Sequence, residues 1–188
     1  MDKIVLVEPE TPENTGFIAR LASNYKADLR LIKPEFNLKE ARETAANAQN
    51  KLREARIFQS TEKAVEDIDF IVGTKPGKGI TVKEFQPREN TSVMIGRESR
   101  GLSNRELELC DATVHINPPG YSSLNQSHAA AIMLHELSKT SEEGLGKEQK
   151  KALSSKLEGL DKLRELVLRG SPTGKEFNRL MGELEKQE

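Results

Sequence analysis

The chain has a single cysteine, Cys110, in 188 residues. It can form no internal disulfide and no cysteine-rich metal cluster, which fits a reducing compartment, and it reads as a small buried hydrophobe. No apolar run approaches the roughly 18 residues that cross a bilayer, and no charged-then-apolar leader opens the sequence. A soluble cytoplasmic protein that makes no membrane contact is the expectation. Charge of one sign is also missing. Lys and Arg number 29 against 30 Asp and Glu, a net charge of -1, so any nucleic acid must be held by a local basic patch.

Two common nucleotide signatures are absent as well. A dinucleotide fold places a glycine fingerprint straight after its first strand, where this chain carries Pro12-Glu13-Asn14-Thr15-Gly16. The Lys75-Pro76-Gly77-Lys78-Gly79 segment lacks the spacing and the final Lys-Ser/Thr of a phosphate loop. His115, His128 and His135 have no matching metal-ligand pattern and no nearby nucleophile motif, so structural or surface roles are favoured and no metal is expected.

What is present alternates between strand and helix. Ile4 to Val7, Asp28 to Lys33, Ala55 to Gln59, Asp69 to Thr74, Thr91 to Gly96 and Ala112 to Asn117 read as strands. Phe17 to Tyr25, Leu38 to Glu54 and Thr61 to Asp67 read as helices. So does the Ala-rich segment up to Leu137, whose first turn is crowded by Ser122, Ser123, Asn125 and Ser127. The pattern predicts an α/β domain around a mainly parallel sheet flanked by helices.

Ligands of such folds bind at the carboxyl ends of the strands. Three loops there carry unusual polar residues. Pro12 to Arg20 combines a glycine turn with an arginine about one helical turn further on. Gly96 to Ser103 follows a strand and opens a helix that Ser103 and Glu106 can cap as a box. The third, His115 to Leu137, ends a strand in Pro118-Pro119-Gly120 and then exposes the free N–H groups of a helix start.

In this order PENTGFIAR, IGRESRGLS and INPPGYSSLNQSHAAAIMLHE resemble the SPOUT superfamily, and within it the SpoU (TrmH-like) RNA 2′-O-ribose methyltransferases, over roughly residues 3 to 138. The short, direct start at the first strand further resembles the TrmJ branch, which methylates tRNA in the anticodon loop. The resemblance implies a C-terminal deep trefoil knot, a homodimer and an RNA substrate, with tRNA first and ribosomal RNA as the alternative. A non-catalytic RNA-binding module of the same fold, or a nucleotide-binding regulator, would be the departures from it.

The resemblance also implies site residues. S-adenosyl-L-methionine would be held by Thr74, Gly96, Gly101, Leu102, Ile116, Pro118, Ser123, Leu124 and Asn125. Glycines would permit close backbone approach, and Ile116 and Leu124 would form apolar walls. Arg20 would be the catalytic residue, with Asn14, Glu98 and Asn125 orienting it or the ribose. A guanidinium is a poor base, so holding the 2′-hydroxyl and a neighbouring phosphate is the role expected of Arg20. Arg20, Lys75, Lys78, Arg97 and Arg100 are candidates for RNA phosphates.

After Leu137 the composition changes. Residues 139–147 read as a linker and 148–188 as a helical extension, following a domain over 1–138. Leu153, Leu157, Leu160, Leu163 and Val167 form one apolar stripe. Thr173 and Glu176 suggest a second capping box, and Phe177, Leu180, Met181 and Leu184 continue the stripe.

Overall fold

Apolar runs bounded by turn residues become seven buried or edge strands in the computed structural model, which describes residues 3–121, 124–139, 147–157, 167 and 174–184. The strands are β1 (Lys3–Val7), β2 (Asp28–Ile32), β3 (Arg56–Phe58), β4 (Ile71–Thr74), β5 (Ile80–Thr81), β6 (Ser92–Ile95) and β7 (Ala112–His115). They form one sheet in the order β3-β2-β1-β6-β4-β7-β5, with every pairing parallel. The interior strand β1 sets Ile4 beside Leu29 of β2 on one side and Val93 of β6 on the other.

Alternation along each strand sends side chains to two faces. Ile4, Leu6, Leu31, Val72, Val93 and Val114 meet α1 (Pro12–Asn24) and α6 (Gln126–Leu137) through Ile18, Ala19, Ala22, Ala130, Met133, Leu134 and Leu137. Val5, Val7, Ile32, Ile71 and Met94 meet α4 (Thr61–Val65) and α5 (Asn104–Glu108) on the other face. Each fully buried aliphatic side chain there contributes about 1.5–3 kcal/mol. Arg30 is buried within β2, where its guanidinium donates to Asp67 and to the Ala64 carbonyl, tying the strand to α4.

Several sequence expectations are corrected. The helix expected from Phe17 begins at Pro12, because Pro is at home in the first helical turn. Gly16 is therefore helical rather than part of a turn. A Cβ there would lie 2.0 Å from Thr44 Oγ1 and 2.4 Å from the Ala41 carbonyl, so its absence lets the next helical segment pack directly on α1. That same packing breaks the single helix expected over 38–54. The segment forms α2 (Arg42–Ala45), a 3-10 turn (Ala46–Ala48) and α3 (Gln49–Glu54), with Ala46 at φ +47. The Gly-rich loop after β4 returns to the sheet as β5, a two-residue edge strand too short to show a period.

The extension contributes α7 (Lys147–Lys156) and α8 (Gly174–Leu184). Leu153 and Leu157 are buried in a small cluster with Val167, Phe177, Leu180, Met181 and Leu184. Lys150 fastens α7 to the sheet. Its Nζ donates to the Asp69 carbonyl and to Asp111 Oδ1, and it lies 4.6 Å from the Phe70 ring centroid. These contacts are at the amino ends of β4 and β7. Leu160, Leu163, Thr173 and residues 140–146 of the expected linker lie outside the described residues.

Candidate active site

At the carboxyl ends of β4, β6 and β7 the connecting loops enclose a cavity of about 400 Å³. Thr74 and Lys75 come from β4, residues 96–101 from the loop after β6, and Val114, His115 and Ile116 from β7. Leu124, Gln126, Ala129 and Met133 close it from α6 and its lead-in. Val114, Ile116, Leu124 and Met133 give one apolar wall. The loop after β6 supplies the charged side.

Two glycines shape that loop. A Cβ on Gly96 would lie 2.1 Å from the Gly101 carbonyl carbon and 2.3 Å from the Leu102 nitrogen, so the loop closes tightly only over a hydrogen atom. Gly101 has φ +65, a conformation that disfavours other residues. Its missing Cβ would meet nothing, so bare backbone faces open space there. Leu102 lies beneath, 1% exposed, and its carbonyl accepts from Lys75 Nζ at 3.1 Å.

Carboxylates bolt the loop after β6 to the loop after β1. Glu98 accepts from the Glu10 and Thr11 amides at 3.0 and 3.2 Å and from Asn14 Nδ2 at 3.1 Å. Thr11 is the N-cap of α1 but its own side chain does not cap it, so Glu98 caps the helix from another loop. Glu10 returns the contact by accepting from the Ser99 amide and hydroxyl. Arg97 donates to Glu8 at 2.5 Å and to both Glu106 oxygens at 3.1 and 2.9 Å, and Arg100 reaches Glu8 at 3.3 Å. The hydrogen bond from Arg97 holds Glu8 below the usual carboxylate range. Burial alone would raise Glu106, but hydrogen bonds from Arg97 and Ser103 leave it lowered. Ser103 and Glu106 form the expected capping box.

Asn125 is the N-cap of α6. Its Oδ1 accepts from the Ser127 amide at 2.8 Å and the Ser127 hydroxyl at 2.7 Å, while its Nδ2 donates to Asn14 Oδ1 at 3.0 Å. Glu98, Asn14 and Asn125 therefore form one continuous chain of hydrogen bonds from the loop after β6, through α1, to α6.

The site residues expected from the sequence divide into groups. Thr74, Gly96, Gly101, Ile116, Leu124 and Glu98 line the cavity, as do Lys75, Arg97 and Arg100. Asn14 and Asn125 flank it through the hydrogen-bond chain. Lys78 is exposed, 3.5 Å from Asn104 Oδ1, and Pro118 is not part of the cavity wall. Arg97 has most of its donors engaged by two carboxylates, leaving little for a phosphate. Ser123 lies outside the described residues. Arg20 is exposed on α1, its side chain makes no hydrogen bond or ion pair among the described residues, and it does not line this cavity.

A family model described as the SpoU rRNA Methylase family matches residues 2–135. The chain belongs to this family. A similar sequence is the tRNA (cytidine-2'-O-)-methyltransferase TrmJ of Methanocaldococcus jannaschii, 31% identical over a 154-residue alignment that covers 73% of this chain and 67% of that one. The chain spans between 59% and 67% of the length of such sequence relatives. The crystal structure of TrmJ from Z. mobilis is 27% identical with a TM-score of 0.69, covering 100% of this chain and 99% of that one. The SpoU methyltransferase AviRb from Streptomyces viridochromogenes, in complex with the cofactor AdoMet, is 26% identical with a TM-score of 0.65. That likeness covers 74% of this chain and 57% of AviRb.

Within the SpoU fold, sequence reasoning missed Glu8, Glu10 and Gln126. The two acids had no motif around them, and their roles depend on a loop about 90 residues away. Gln126 opens a helix whose first turn also carries Ser127 and His128, so nothing local sets it apart. Its Nε2 donates to the Gly96 carbonyl at 2.8 Å.

Proposed function

We propose that the chain is an S-adenosylmethionine-dependent RNA 2′-O-ribose methyltransferase of the TrmJ type, acting on tRNA, with its domain over residues 1–138. The observation that carries this reading is the convergence of the Glu98–Asn14–Asn125 chain on a cavity walled by glycine backbone and apolar side chains. A binding module has no use for an oriented polar chain of this kind.

The residues present fit the methyl donor. A cavity of about 400 Å³ falls within the usual range of about 300–1,000 Å³ for small-molecule sites. Ile116 and Leu124 would flank the base, with Gly96 and Gly101 bringing backbone groups close and Thr74 completing the wall. When bound, S-adenosylmethionine supplies a methyl group already activated by a sulfonium charge. The chain itself supplies position. Glu98 and Asn14 fix the start of α1, and Asn125 fixes α6 against it, so that holding reactants together supplies most of the acceleration. Arg20, permanently charged, would hold the ribose hydroxyl and its phosphate, with Arg100 and Lys78 offering further phosphate contacts.

We read the active unit as a homodimer. Arg20 shares an exposed face of α1 with Phe17, and α1 packs on α6, where Ile132 is exposed as well. A second copy covering this face would bury Phe17 and Ile132 and carry Arg20 towards the partner's cavity. The trefoil knot is part of the same reading. Its support is the insertion of β7 between β4 and β5, with Gln126 drawing the start of α6 against the loop after β6.

Transfer of labelled methyl to unmodified tRNA and ribosomal RNA pools, followed by nuclease digestion and mass spectrometry, tests the proposal. A 2′-O-methylated tRNA nucleotide is expected. Product in ribosomal RNA alone would replace the substrate, and no product despite ligand binding would favour the non-catalytic module.

A further inference from the structure

Gln126 is 5% exposed, and its amide lies at the wall of the cavity, under the first turn of α6. A carbonyl oxygen only accepts, so the 2.8 Å contact with Gly96 fixes the nitrogen end of the amide. The oxygen end, Oε1, is buried with no partner among the described residues. An apolar side chain of similar size would fill this space without burying Oε1, but it would leave the Gly96 carbonyl without its donor. The amide therefore answers a need other than packing, and the one bond it makes shows which. Asn125 ties the first turn of α6 to α1, and Gln126 ties the same turn to the loop after β6.

We propose that Gln126 is a positioning residue of the methyl-donor pocket: its Nε2 holds the Gly96 carbonyl so that the loop after β6 and the start of α6 present one rigid wall to the ligand. This rests on reading the cavity as the S-adenosylmethionine site. The role acts through Gly96, whose lack of a Cβ lets the loop close on Gly101 and Leu102. Without the Gln126 bond, that closure loses its link to α6.

The test uses the full chain and S-adenosylhomocysteine as probe, with titration calorimetry and thermal unfolding on wild type, Gln126→Met and Gln126→Glu. Gln126→Met keeps the volume and removes the donor. It is expected to bind about five- to tenfold more weakly, the worth of one hydrogen bond, with Tm lowered by only a few degrees and the chain still folded. Gln126→Glu presents a carboxylate to the Gly96 carbonyl and is expected to bind weakly at about pH 8. At about pH 5.5 the buried carboxyl gains a proton and donates again, restoring affinity towards wild type. Lys75, Arg97, Glu98, Arg100 and His115 line the same cavity, so wild type at both pH values controls for their titration.

Either variant binding like wild type at about pH 8 would overturn the proposal, as would a loss in Gln126→Glu that acid does not reverse. Wild type failing to bind the probe would overturn the pocket reading itself, and this proposal with it.

Discussion

Asn125 Nδ2 donates to Asn14 Oδ1 across 3.0 Å, joining two helices whose residues lie 111 positions apart in sequence. The same Asn125 caps α6 with its other amide atom. These two jobs are separable. Asn125→Ser keeps a capping oxygen but is too short to reach Asn14, whereas Asn125→Ala loses both. Asn125→Ala is expected to be about 1 kcal/mol less stable in urea unfolding, and Asn125→Ser close to wild type. Methyl transfer is expected to fall in both. Full transfer by Asn125→Ser would reduce the residue to a cap.

Gly96→Ala places a carbon 2.1 Å from backbone, which no side-chain adjustment relieves. The loop after β6 must open, and the ligand wall opens with it. Calorimetry with S-adenosylhomocysteine is expected to show no measurable binding, while the far-UV circular dichroism of the sheet survives. Gly77→Ala is the contrast. It has open space around it and a positive φ, so only modest strain is expected and binding is unchanged.

Glu8 and Glu106 are both held below their ordinary value of 4.5 in the folded chain, through contacts that include Arg97. A carboxylate of lowered pKa stabilises the fold above its unfolded-state value, and that contribution disappears as pH falls through the folded one. Acid unfolding is therefore expected to steepen below about pH 4.5. Arg97→Met removes the partner of both acids, so the variant should be less stable at neutral pH and lose less on acidification. Parallel pH profiles for the two proteins would contradict this account of Arg97 and its two carboxylates.

Burial pushes the Cys110 thiol up to about 12, with Asp111 and Glu106 adding to the effect. Thiolate is the reactive form. The native protein is expected to resist iodoacetamide at about pH 8 and to react fully once unfolded in urea. Rapid native alkylation would show that Cys110 is not held as the structure places it.

Much of this architecture is legible in the sequence, because fully buried parallel strands leave continuous apolar runs such as Ile4 to Val7 and because Ser103 and Glu106 state their capping box locally. Asn14, Glu98 and Asn125 were legible only as members of ordered motifs. Their mutual hydrogen bonds join positions 84 and 111 residues apart, which no local pattern encodes. Helix propensity over residues 38–54 misled, because the close approach of α1 at Gly16 decides the local backbone there. β5 was invisible for a different reason: two residues have no period, and they join the sheet only because β7 offers them an edge. Glu8 and Glu10 look like ordinary surface acids until the loop after β6 is folded over them.

The most direct test of the central claim is methyl transfer from S-adenosylmethionine to unmodified tRNA by wild type and by Arg20→Ala, with ligand affinity measured on both. Arg20 is exposed and its side chain makes no hydrogen bond or ion pair among the described residues, so its loss should leave the fold and ligand binding intact. Wild type is expected to yield a 2′-O-methylated tRNA nucleotide, and the variant to be slower by about a hundredfold, the cost of misplacing a reactant. Equal rates for the two proteins, or no methylated tRNA from wild type that binds the ligand, would contradict the account.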